Sequence, residues 1–162
     1  MFTIRAGYTD KVEVKTNLER VREFFSDIRN FIDLMPNIES IHTDGKGVTH
    51  WKIRADIPLI GSFREKFSVE IAEESEERME WLPLRSETKN FLRYAVDYVE
   101  TGVNKTMIQF SQAVEIRRKS ASQLHLLAPL AGESLISSEM NKRIEEMIKL
   151  FVQKARQKME ET

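Results

Sequence analysis

One acidic residue stands where the sequence pattern calls for an apolar one. Glu65 lies between Phe63 and Phe67 in a segment whose alternate residues are apolar, so its carboxylate is predicted to face the interior. An unpaired carboxylate is costly there, which makes Glu65 a candidate general acid or base. The alternatives are that a bulge near Gly61 turns it outward, or that Arg93 or another cation pairs with it.

Three more polar side chains share the apolar phase of two later segments. Tyr94 and Tyr98 can orient a carbonyl or phenol by hydrogen bonding, and Tyr94 is the second candidate acid or base. Gln112, in phase with Phe110, offers both a donor and an acceptor. The alternative is that both tyrosines are core residues whose hydroxyls reach the edge of the core, and that Gln112 lies near the solvent-exposed end of its strand.

The residue types needed for metal or covalent chemistry are sparse. There is no cysteine, and His42, His50 and His125 lack the close spacing of metal ligands. The sequence also lacks a glycine-rich phosphate loop, a nucleophile elbow and a paired-carboxylate motif. We therefore expect no metal and no cofactor.

Composition narrows the class of protein further. The 162 residues include 25 Lys and Arg against 26 Asp and Glu, a net charge of -1 that disfavours general nucleic-acid binding. The start, Met1 to Tyr8, lacks the pattern of a secretory signal, and no segment is long and apolar enough to span a bilayer. The length fits a single domain over residues 1–162. Because the chain has no cysteine and so forms no disulfide, we expect a cytoplasmic protein. We expect it to be a monomer or a homodimer.

Periodicity predicts the elements that position these residues. Alternation from Phe2 to Val14 predicts a strand. Thr16 and Glu19 have capping-box spacing, so a helix should follow and run to Pro36, either unbroken or as two short helices joined near Asp27.

A period of two then extends from Ile38 to Arg117 and predicts a meander of six strands, while the last segment has the apolar spacing of an amphipathic helix. A sheet curved around such a long helix can cover much of its apolar face. The predicted strands are Ile38–Thr43, Val48–Ile57, Ser62–Ala72, Arg78–Leu82, Asn90–Val99 and Lys105–Arg117, and the helix runs from near Pro129 to about Met159.

This order resembles the helix-grip fold of the START-like superfamily, also called SRPBCC, which includes polyketide cyclase/dehydrase-like proteins. The resemblance implies an α+β fold: a curved seven-stranded antiparallel sheet around a long C-terminal helix, with two short helices after strand one. Pro129 to Gly132 is similar to the superfamily branch that contains the G-type subunit of carbon monoxide dehydrogenase. The other matching stretches are Val21–Phe25, Asn30–Pro36, Ile38–Ile41, His50–Trp51 and Met79–Trp81.

The superfamily resemblance implies a cavity between helix and sheet that takes lipids, quinones, polyketides or plant hormones, and only some members are enzymes. The leading hypothesis is a noncatalytic carrier of a hydrophobic small molecule; the first alternative is a polyketide cyclase or dehydratase. The second alternative is an accessory protein that binds a protein partner or the membrane periphery, with the loop around Leu124 to Leu130 as its contact. The predicted ligand-binding residues are Trp51, Phe67, Trp81, Tyr94, Tyr98, Phe110, Gln112, Met147 and Phe151.

Overall fold

Seven antiparallel strands form one curled sheet whose concave side is covered by helices. The computed structural model describes residues 1–161. The strands lie in the order β1-β7-β6-β5-β4-β3-β2, so β1 and β2 are the two edges. The predicted helix-grip architecture is therefore confirmed. The strands are β1 Phe2–Val14, β2 Ile38–Thr43, β3 Thr49–Ile57, β4 Gly61–Glu74, β5 Arg78–Pro83, β6 Asn90–Gly102 and β7 Lys105–Arg118.

Four helices complete the fold: α1 Leu18–Ser26, α2 Arg29–Leu34, α3 Ala121–Leu124 and α4 Ala128–Glu160. The two-helix alternative is the observed one, with the first helix ending at Asp27. None of the helices within residues 1–161 is both long and apolar enough to cross a membrane.

The capping residue of α1 differs from the prediction. Asn17 caps the helix, with its side-chain oxygen accepting from the backbone N–H of Arg20 at 2.8 Å. Thr16 is buried instead, and its carbonyl accepts from the Thr106 hydroxyl at 2.9 Å. The capping box predicted on Thr16 and Glu19 is therefore wrong, because Thr16 is committed to tying the end of β1 to β7.

Side chains of α4 cap the free edge of β1. Three backbone N–H groups on alternate residues of this edge strand donate to side chains spaced one helical turn apart on α4. These bonds cover an edge that would otherwise be open to pairing with another strand. The three bonds join Thr3 to Glu133 at 2.9 Å, Arg5 to Ser137 at 3.3 Å and Gly7 to Asn141 at 2.9 Å.

A single glycine interrupts α4 near its start. Gly132 has φ of 82° and ψ of 164°, a backbone conformation that is almost exclusive to glycine. The main helix therefore begins at Glu133, and the preceding turn, Ala128 to Ala131, leaves at a different angle. Among residues 1–161, no atom other than those of the adjoining backbone lies within 4 Å of the position that a Cβ would occupy on Gly132, so glycine is required there by its φ and ψ and not by lack of space.

Replacing Gly132 with alanine should destabilise the protein by about 1–3 kcal/mol, because alanine is strained at this φ and ψ. The measurement is the free energy of unfolding from urea titration. Gly45→Ala is the matched control, since Gly45 also has open space around it and does not need positive φ. Equal stability of the two variants would show that α4 can straighten through residue 132 without cost.

Candidate functional site: the cavity between sheet and C-terminal helix

Most of the predicted ligand wall is a packed aromatic cluster. The rings of Trp81 and Tyr94 stack with centroids 4.4 Å apart, and Trp51 meets Tyr94 edge-on at 5.0 Å. The ring centroids of Phe110 on β7 and Phe151 on α4 lie 5.3 Å apart. These side chains do face the concave side of the sheet, as their strand phases predict.

Helices α1 and α2 fill the space in front of this cluster. Phe31 lies 5.7 Å from both Trp51 and Tyr94 and stacks on Phe151 at 5.3 Å. Phe25 lies 6.1 Å from Tyr98 in the same way. This half of the concave face is therefore solid core. Six of the predicted ligand-binding residues lie in this packed half, and their contact with a ligand stays a prediction: Trp51, Trp81, Tyr94, Tyr98, Phe110 and Phe151.

The open space lies in the other half of the concave face, beneath the middle of α4. A cavity of about 40 Å³ is bounded by β3, β4, β7 and α4, and three predicted ligand residues, Phe67, Gln112 and Met147, line it. Such a volume holds a few water molecules, whereas ligand pockets usually measure roughly 300–1,000 Å³. The other lining residues are Asn37, Ile53, Arg54, Ala55, Phe63, Glu65, Val114, Ile116, Met140, Arg143 and Ile144.

Gln112 supplies a polar group at the inner wall of this cavity. Its residue is 3% exposed, and neither the oxygen nor the nitrogen of its amide has a hydrogen-bond partner among residues 1–161. An amide left in this state costs free energy unless water or a ligand satisfies it. The cavity therefore presents one free donor and one free acceptor on an apolar wall.

Glu65 faces the same cavity, and a cation pairs with it. Its Oε2 accepts from Arg118 Nη2 at 2.8 Å and from Asn90 Nδ2 at 2.8 Å. Arg118 Nη1 also donates to Asn90 Oδ1 at 2.8 Å, which closes the network. No bulge interrupts the pairing of β4 with β3 beside Gly61, so Glu65 keeps its inward phase.

The partner of Glu65 is thus Arg118, and the suggestion of Arg93 is wrong. Arg93 lies on the convex face, where its Nη2 is 3.5 Å from Glu80 Oε2. Arg118 was detectable from the sequence, because it continues the apolar phase of Val114 and Ile116. Asn90 likewise faces the same side of its strand as Leu92 and Tyr94. The network therefore consists of three polar residues, one on each of β4, β6 and β7, at positions where the alternation predicts an apolar residue.

The two candidate tyrosines are held neutral. Burial raises the pKa of the Tyr94 hydroxyl and that of Tyr98 far above their usual range. Tyr94 has no hydrogen-bond partner for its hydroxyl among the described residues, and the indole N–H of Trp51 is in the same position. Tyr98 donates weakly to the sulfur of Met79 at 3.9 Å. Neither tyrosine lines the cavity, so neither is placed to transfer a proton there.

The histidines lie outside the cavity. His50 bridges two strands on the convex face, with Nδ1 2.9 Å from Ser68 Oγ and Nε2 2.9 Å from Asp44 Oδ2. The hydrogen bond from His50, together with the backbone N–H groups of Val48 and Lys46, lowers the pKa of Asp44 to about 2. In the part of the chain that the structure describes, no group of three His, Cys, Asp or Glu side chains is placed to hold a metal ion.

Comparison with known proteins gives structural likenesses without sequence matches. No family model and no curated protein matches the chain. The Zhui aromatase/cyclase from Streptomyces sp. R1128 superposes with a TM-score of 0.64 at 11% identity, with 94% of each chain covered. A START superfamily protein from Mycobacterium smegmatis gives a TM-score of 0.51 at 17% identity, covering 86% of this chain and 97% of that one.

The di-domain aromatase/cyclase BexL gives a TM-score of 0.66 at 12% identity, and 98% of this chain matches 51% of it. This chain therefore has the START-like, polyketide cyclase-like fold. Identities this low establish the fold alone. The resemblance to the carbon monoxide dehydrogenase branch of the superfamily stays a prediction.

Replacing Arg118 with methionine should cost about 3–5 kcal/mol of stability, because it leaves the Glu65 carboxylate beside the cavity without its cation. Both side chains are nearly buried, at 11% exposure for Arg118 and 16% for Glu65. The double variant Glu65→Leu/Arg118→Met should recover most of the loss. Urea unfolding of the four proteins measures this coupling.

The control is Arg5→Met, which breaks the exposed pair with Glu115 and should cost at most about 1 kcal/mol. If Arg118→Met proves as mild as Arg5→Met, the Glu65–Arg118 pair contributes no more to stability than an exposed ion pair.

Proposed function

We propose that the protein binds and carries a hydrophobic small molecule in the cavity between the sheet and α4. The observation that carries this proposal is the amide of Gln112, which has no hydrogen-bond partner among residues 1–161 and lies in a cavity lined mainly by apolar side chains. Affinity comes from apolar surface, and one donor and one acceptor orient the molecule, which is the usual division of labour in ligand sites.

The cavity must enlarge to hold such a molecule, and its lining allows this. Met140 and Met147 of α4 form part of the wall, and methionine side chains adapt their shape at low cost. Asn37 and Arg54 are exposed lining residues, so the cavity reaches the surface between β3 and α4. Enlargement on this side leaves the aromatic cluster around Phe31 intact.

A polyketide cyclase or dehydratase is the second candidate, and Glu65 favours it. Its carboxylate faces the cavity, and two of the similar structures are named as aromatase/cyclases. Against this, Glu65 is already engaged by Arg118 and Asn90, so it would have to leave both to act as a base. Incubation with a polyketide precursor, followed by extraction and mass measurement, separates the two candidates. A carrier releases the precursor with unchanged mass, whereas a dehydratase releases a product that has lost one water molecule.

The first test identifies the natural occupant. We expect native mass spectrometry of protein purified from its own cell extract to show one bound apolar molecule per chain, with at least one hydroxyl or carbonyl group. Organic extraction then identifies its class. Protein that is reproducibly empty, and that lipids, quinones and aromatic polyketides all fail to stabilise, contradicts the proposal.

The second test concerns Gln112 and uses 1-naphthol and naphthalene as matched probes. The wild-type protein should prefer 1-naphthol by roughly threefold to tenfold, the value of one hydrogen bond. Gln112→Leu should lose this preference while keeping its affinity for naphthalene. Titration calorimetry measures both affinities.

Gln109→Leu is the control for the Gln112 test, because Gln109 lies on the convex face of the same strand. The role given to Gln112 is refuted if Gln112→Leu and Gln109→Leu have the same preference between the two probes.

A further inference from the structure

The segment 125–131, which comprises the loop after α3 and the first turn of α4, holds leucines outward. Leu126 is 83% exposed, Leu130 is 79% exposed and Leu127 is 38% exposed. Leu124 at the end of α3 and Ala128 at the start of α4 are buried, so the segment is anchored to the core on both sides of the loop. Of the four leucines predicted as a contact patch, Leu124 is the exception, since it serves as an anchor.

Hydrogen bonds within this segment define its turns. The N–H of Ala128 donates to the carbonyl of His125 at 3.0 Å, and that of Leu130 donates to the carbonyl of Leu127 at 3.1 Å. The ring nitrogen Nδ1 of His125 accepts from the N–H of Leu127 at 3.1 Å. The break at Gly132 then separates this first turn of α4 from the main helix. Exposed leucines grouped in one short segment form an apolar patch, which is a feature of interaction surfaces.

A basic groove lies at the start of α3, on the chain segment that leads to the leucines. From Ile116 to Gly132 the chain has no acidic residue, and a shallow groove next to α3 brings together Lys89, Lys119 and the first residue, Met1. The two arginines of this groove are neutralised, Arg117 by Glu115 and Arg118 by Glu65. Lys89 and Lys119, by contrast, form no ion pair with any residue between 1 and 161. Two ammonium groups without an ion pair among these residues therefore lie in a groove that also includes Gln123 of α3, the short helix that leads into the leucine segment.

We propose that the leucines Leu126, Leu127 and Leu130, with Lys89 and Lys119 beside them, form a docking surface for an anionic lipid bilayer. Leucines can enter the boundary between headgroups and acyl chains while the two lysines meet the negative surface charge. The combination of outward leucines and unpaired lysines favours a bilayer over a protein partner, because it matches both layers of a membrane interface. This inference stands independently of the proposed carrier function.

The docking surface adjoins the cavity. Arg118 lies in the basic groove with Lys119 and at the same time pairs with Glu65, which lines the cavity. Ile116, two residues before Arg118, is also part of the cavity wall. A molecule dissolved in the bilayer would therefore be within a short distance of the site proposed to hold it.

The test is co-sedimentation of the full chain with vesicles of phosphatidylcholine, with and without phosphatidylglycerol. The wild-type protein should bind the anionic vesicles, bind the neutral ones less, and lose affinity as salt is raised. Leu126→Ala/Leu130→Ala and Lys89→Glu/Lys119→Glu should each weaken binding to anionic vesicles roughly tenfold or more. All four positions are exposed, so circular dichroism should show unchanged folding.

Val103→Ala/Lys105→Glu is the matched control. Val103 is 91% exposed, and it lies with Lys105 at the turn between β6 and β7, at the far end of β7 from Lys119. The proposal is overturned if the wild-type protein ignores anionic vesicles or if the control variant loses binding equally. It is also overturned if light scattering shows a dimer that the leucine variant dissociates, since the surface then belongs to a second copy.

Discussion

The position of α4 against the edge of β1 depends on matched spacings. Four residues of helix rise about 6 Å and two residues of strand about 6.6 Å, so side chains one helical turn apart meet alternate backbone N–H groups. Three helix residues from Glu133 to Asn141 accept hydrogen bonds in this way from three backbone N–H groups between Thr3 and Gly7. Each bond satisfies an edge group and also fixes the helix in rotation and in translation. The rest of the concave side is arranged around a helix placed in this way.

Once Asn141 is held at the edge, the rotation of α4 is set. Met140, Ile144 and Met147 then face the sheet and form the roof of the cavity. The C-terminal half of α4 packs against α2 instead, because Phe31 of α2 stacks on Phe151. One helix thus covers a solid aromatic half and an incompletely filled half, and the boundary between them is set by how far α1 and α2 reach along the sheet.

The strand phases, and with them the fold, could be predicted from the sequence. Period-two alternation identified the inward residues, including Glu65 and Gln112, because each strand buries one face. It could not predict that Trp51 lies in the packed half while Phe67 lines the cavity. That difference depends on the position of Phe31, which is distant from both in sequence. The pairing of Glu65 with Arg118 was missed for a similar reason: 53 residues separate them, and only their shared inward phase hints at it.

The two halves of the concave face differ in how easily they can yield. Stacked rings such as Trp81 and Tyr94 have few alternative arrangements, so moving one disturbs several neighbours. The methionines above Gln112 can change rotamer individually, and the few waters that the cavity can hold are displaced more easily than a ring. A hydrophobic molecule with one hydroxyl or carbonyl group would therefore enter on the methionine side, form a hydrogen bond with the Gln112 amide, and leave the aromatic half unchanged.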